Sequence, residues 1–166
     1  MRKALRTIDV TNQYIGNILN YLNIAVVVIV CWEIVARYVF NAPTSWAADA
    51  PVMIIGYMVV LCGGYVQLFQ RHVRIDSLYS HLGIRIQALF DIGTYCFFCL
   101  FMYAVIWHGW LFAWESIKLQ ETAGTPWNPI VYPLKTAIPV GAFLLWLQRT
   151  ADIIRKVYHA FSGKEV

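Results

Sequence analysis

The stretch RYVFNAPTSWAAD, Arg37 to Asp49, decides the fold. It opens on an arginine, closes on an aspartate and holds Pro43 near its middle, while apolar sequence runs into it and out of it. The run before it has the uninterrupted core IAVVVIVCW, residues 24–32. Apolar blocks of about 20 residues match a hydrocarbon core ~30 Å thick at 1.5 Å rise per residue. A membrane β-barrel requires alternating apolar and polar residues, and these runs do not alternate. The corner is therefore a short polar turn between two membrane-spanning helices.

Working outward, the same pattern repeats along the chain. Of the 166 residues, 60% are hydrophobic and 13% charged, against about 25% charged in a soluble domain. The sequence predicts an all-α integral membrane protein with a single membrane domain covering residues 1–166. Its four spans run approximately over 18–40, 47–69, 86–114 and 130–147. No repeat, low-complexity segment or second domain interrupts them.

The charge distribution orients these spans. The formal net charge is +4, but the basic residues sit at the ends of apolar runs and do not form a nucleic-acid-binding surface. Arg2, Lys3 and Arg6 precede the first span; Arg71, Arg74 and Arg85 lie between the second and third; Arg149, Arg155, Lys156 and Lys164 follow the fourth. The opposite side has only Arg37 and Lys135 at its edges and Lys118 in its loop. The positive-inside rule then places both termini in the cytoplasm. Trp46, Trp107, Trp110, Trp114 and Trp127 gather toward the outer side, as an interfacial aromatic belt does. The N-terminus has the basic start of a signal peptide without a small-residue cleavage site after the first apolar run, which reads as an uncleaved signal anchor. Leu5, Ile8, Thr11, Asn12 and Ile15 lie near one helical face, so residues before Ile18 form either an amphipathic helix on an anionic leaflet or a frayed, solvated tail.

Polar groups inside apolar runs are the candidate functional residues, because each carries a cost in lipid. Glu33 and Arg37 are four apart with the acid first, the better order for a helical ion pair. They form a self-neutralising structural pair, a contact with another membrane protein, or a proton or ligand site. Asn17, Asn20 and Asn23 make a polar stripe, and Gly56, Gly63 and Gly64 a smooth one; both suit close packing between helices. The four cysteines, Cys31, Cys62, Cys96 and Cys99, all lie in apolar runs. CFFC at residues 96–99 has no second ligand pair, so packing outranks metal or redox use. His108 and His72 lie toward opposite membrane faces and cannot jointly ligate one haem. No phosphate loop, nucleophile elbow or zinc signature is present, so no catalytic, cofactor or metal residue is assigned and the chain does not read as an enzyme.

Three segments in register resemble the small membrane subunit of tripartite ATP-independent periplasmic (TRAP) transporters. RYVFNAPTSW, with Asp49 three residues after Trp46, resembles that family's outer corner, including Asn41 and Pro43. HVRIDSLY, with His72 and Asp76, resembles its inner-loop segment. PLKTAIPVGAFLLWLQ, with Lys135, Pro139, Gly141 and Gln148, resembles its last helix. Together they span about Glu33 to Arg155. The resemblance implies four spans with both ends inside, in a bacterial or archaeal inner membrane. It implies a large multi-span partner subunit that carries substrate and sodium, and a periplasmic substrate-binding protein that delivers an organic acid. Membrane lipids are the remaining partner, and sodium belongs to the large subunit. In that setting the small subunit braces the large one and helps form the docking surface, and the corner becomes a clasp in which Arg37 pairs with Glu33 or Asp49. Two other readings stand beside it: an autonomous proton-coupled exporter using Glu33, and a haem- or quinone-binding redox anchor.

Overall fold

The computed structural model describes residues 2–69 and 84–162. Five helices account for most of them: α1 (Arg2–Tyr38), α2 (Trp46–Leu61), α3 (Gly63–Leu68), α4 (Ile84–Lys118) and α5 (Tyr132–Ser162). There is no strand among the described residues, only a single antiparallel bridge between Thr122 and Ile130. Among the described residues three segments are long and apolar enough to cross a membrane: Leu5–Tyr38, Gly93–Lys118 and Tyr132–Arg155.

The second apolar run is divided. α2 has 16 residues, short for a span on its own. It stops at Cys62, whose N–H still bonds to Met58 O at 3.0 Å, and α3 resumes at the next residue. The two helices together occupy Trp46–Leu68, close to the second predicted span. α5 runs well past Leu147, where the sequence pattern ended the fourth span, because its last turns carry polar residues that bind other helices.

The N-terminal segment differs more. Residues before Ile18 are the first turns of one unbroken 37-residue helix, α1, about 55 Å long at 1.5 Å per residue. They form neither a separate interfacial helix nor a frayed tail. Gly16 does not break the helix, because the ring of Tyr65 covers it, so close that a Cβ there would lie 2.0 Å from the ring. Leu5 and Asn12 are buried against the rest of the chain.

α5 is the hub. It packs against α4 on one side and against α1, α2 and α3 on the other. Small residues permit these approaches. A Cβ on Gly56 would meet Leu134 at 3.1 Å, and one on Gly63 would meet Leu145 at 3.5 Å, both on α5. Gly141 of α5 lies beneath Val60 O, at 2.3 Å from a Cβ position. The glycine face of α2 and α3 is thus used within the chain. Asn17, Asn20 and Asn23, in contrast, are all exposed along α1.

Candidate functional site

Two polar clusters, one at each end of the bundle, hold the helices in register. The outer one is built on the corner. α1 ends by reversing through Asn41, whose φ of 49° puts it in the left-handed region that asparagine tolerates better than most residues. Ala42 N–H then returns to Ala36 O at 3.0 Å. This reversal brings Thr44 back over α1. Glu33, buried within the chain, accepts from Arg37 Nη2 at 2.7 Å and Nε at 3.2 Å through one carboxylate oxygen. Its other oxygen accepts from the Thr44 hydroxyl at 2.5 Å and the Thr44 N–H at 3.2 Å. Arg37 therefore pairs with Glu33, settling which acid it takes, and Thr44 completes the clasp. A cleft of about 310 Å³ opens beside it, lined in part by Arg37, Tyr38, Ala48 and Pro51.

Asp49 has a different partner. It lies in the first turn of α2, where the helix dipole favours a carboxylate. It accepts from the Thr125 hydroxyl at 2.5 Å, which ties the corner to the loop between α4 and α5. That loop is internally ordered. Gly124 N–H donates to Asn128 Oδ1 at 3.0 Å, and Ala123 N–H to Pro129 O at 3.0 Å. Glu121 pairs with Lys135 and accepts from the buried Ser116 hydroxyl at 2.8 Å. The hydrogen bond from Lys135, then that from Ser116, holds the Glu121 carboxyl below its ordinary value of 4.5. Lys135 also stands 4.1 Å from the centroid of the Phe112 ring. Pro43 and Trp46 are exposed at the corner.

The inner cluster is a chain of side-chain hydrogen bonds across three helices. Gln67 of α3 donates to Asp152 at 2.7 Å. Arg155 lies between Asp152, at 3.5 Å, and Asp9, at 2.5 Å. Gln148 donates to Asp9 at 2.9 Å and accepts from Asn12 at 2.8 Å. Gln148, Asn12, Gln67 and Asp152 are all buried. Asn12 Oδ1 faces Gly64, 2.2 Å from where a Cβ would stand, so only glycine admits it there. The family-like residue Gln148 and the packing glycine Gly64 thus belong to this cluster, while Pro139 and Gly141 lie buried in α5.

Sequence reasoning passed over Asp9, Gln67, Asp152 and Arg155 as functional candidates. Arg155 was counted only as an inner-side charge. Gln67 and Asp152 carried the same signal as Glu33, a polar group at the end of an apolar run. His72 and Asp76 lie outside the described residues. Cys99 accepts from Trp146 Nε1 at 3.4 Å, while Cys96 and His108 are exposed. Among the described residues no group of histidine, cysteine and acidic side chains gathers to hold a metal ion.

The chemistry available at both ends is that of fastening. Each carboxylate of the two clusters is already engaged by donors from its own chain. In comparisons with known proteins, residues 26–158 match the family described as tripartite ATP-independent periplasmic transporters, DctQ component. No curated protein matches the chain.

Proposed function

Since the chain belongs to the DctQ-component family, the small membrane subunits of tripartite ATP-independent periplasmic transporters, we propose that it braces a large multi-span transport subunit and helps a periplasmic binding protein dock. The assembly takes up an organic acid with sodium across a bacterial or archaeal inner membrane. In this reading the chain has four spans, with α2 and α3 together making the second, and both termini are cytoplasmic.

The observation that carries the reading is the saturation of Glu33. Arg37 and Thr44 supply donors to both of its oxygens. A route for an organic anion needs convergent donors or positive charge near the membrane midplane, often at broken helix ends. The charged groups of the two clusters sit instead at the two ends and are bound by donors or acceptors of this chain. Proton-coupled export through Glu33 requires a carboxylate that cycles freely, and an arginine one turn away opposes that.

Reconstitution tests the proposal. The chain alone in proteoliposomes gives no uptake of any candidate acid under a sodium gradient. Adding the large subunit and the binding protein gives uptake, and omitting only this chain abolishes it. Uptake or export by this chain alone, or undiminished uptake without it, overturns the proposal.

A further inference from the structure

Resting on the subunit reading, we infer that the carboxamide row Asn17–Asn20–Asn23 on α1 is the surface that receives a membrane helix of the large subunit, one bearing its own carboxamide or hydroxyl groups at matching depth. The structure separates this row from the glycine face. Gly56, Gly63 and Gly64 are covered by the chain's own Leu134, Leu145 and Asn12. The three asparagines are exposed and make no hydrogen bond to a described residue.

Depth makes that exposure informative. The inner cluster reaches α1 at Asp9 and Asn12, and the outer clasp reaches it at Glu33 and Arg37. From Asn12 to Glu33 the helix rises about 31 Å, the thickness of a hydrocarbon core. All three asparagines fall between those marks, from about 8 to about 17 Å along the helix from Asn12. A carboxamide facing acyl chains leaves two donors and an acceptor unmet, and in membrane helices such groups find partners on another helix. Lipid tails offer none.

The shape of the row fits a helix as well. Spacing of three residues follows a ridge inclined about 45° to the helix axis, so the partner crosses α1 obliquely. Ile24 and Val27, exposed beside the row, supply apolar contact. Little else among the described residues covers α1: only 6% of its most apolar stretch is buried, against 39% for α5.

The test compares the full chain with a triple variant, Asn17→Leu, Asn20→Leu and Asn23→Leu, each co-expressed with the large subunit. Capture of the large subunit by the unaltered chain is the first readout; its failure overturns the subunit reading and this inference with it. Given capture, the variant is expected to yield as much folded protein alone as the unaltered chain, but roughly tenfold or more less complex, since each interhelical hydrogen bond changes association about threefold or more. Restoring glutamine at position 20 recovers part of the loss. A photo-crosslinking side chain at position 20 attaches to the large subunit. Equal capture by the variant, or a crosslink joining two copies of this chain, overturns the docking surface and leaves the subunit reading standing.

Discussion

Single side chains set the stability of this bundle where two helices share one polar atom or one missing methyl group. Gln148 is fully buried and serves both Asp9 and Asn12. Gln148→Leu strands the buried Asn12 amide while Asp9 keeps Arg155, and an unmet buried polar group costs about 1–3 kcal/mol. The melting temperature of the detergent-solubilised protein should fall by about 2–12 °C at 2–4 °C per kcal/mol; an unchanged midpoint would show that water replaces the side chain. Glycines provide an internal contrast. Gly141→Ala drives a Cβ against Val60 O of α2 and should cost about 1–3 kcal/mol as overpacking does. Gly93→Ala meets nothing within 4 Å on α4, so it should be neutral or stabilise by up to about 1 kcal/mol. Similar losses from both would refute the packing assignment. The corner residues were legible in the sequence because Arg37, Asn41 and Pro43 interrupt an apolar run. Thr44 was legible only as a turn former, since its role as a Glu33 donor depends on the left-handed step at Asn41 that swings it back over α1.

At the level of whole elements, an ion pair helps to hold the first turns of α1 and another the outer loop. The first turns of α1 are tied to α5 through Asp9 and Arg155, 2.5 Å apart. Arg155→Ala should release them, and trypsin cleavage at Lys3 or Arg6 should quicken roughly fivefold if the pair contributes about 1 kcal/mol. Unchanged cleavage would mean that Leu5 and Asn12 suffice. The pattern of apolar residues left a short interfacial helix and a frayed tail both open before Ile18, and gave no sign of a helix continuing into the first span. A tether 146 residues away in sequence leaves no local periodic trace. The outer loop responds to pH. Because Lys135 and Ser116 hold Glu121 below its ordinary value of 4.5, the carboxylate stabilises the loop above that value. That contribution disappears as pH falls from about 4.5 through the lower folded value. Proteolysis between Thr122 and Ile130 should therefore rise in that acid window. Glu121→Gln should cleave at the raised rate already at neutral pH and lose the acid step; an intact acid step in that variant would assign it to another group.

Over the whole molecule, the long apolar helices were readable from composition, because hydrocarbon thickness fixes their length regardless of what they touch. The hub position of α5 was not, since apolarity alone does not distinguish a helix facing lipid from one facing its neighbours. Orientation is where the sequence still speaks most directly. Apart from Arg37 and Lys135, α1 and α5 carry their basic residues at the end where Asp9, Arg155 and Asp152 meet, whereas the opposite end holds the corner and the ordered loop. In the orientation proposed above, with positive charge retained on the cytoplasmic side, the Arg155 end is inside and the Asp49–Thr125 contact outside. In a background with Cys31, Cys62, Cys96 and Cys99 replaced, single cysteines at Ser45 and Gly124 should react with an impermeant thiol reagent applied to intact cells. Both positions are exposed and lie on the same end of the bundle. A cysteine at Thr7, exposed on the first turns of α1, should react only after the membrane is opened. Ser45 is a better reporter than Thr44, whose hydroxyl is committed to Glu33. Labelling of Thr7→Cys from outside would invert the orientation. Outside labelling at Ser45 without labelling at Gly124 would break the outer end into two, and the Asp49–Thr125 contact that joins them would have to be given up.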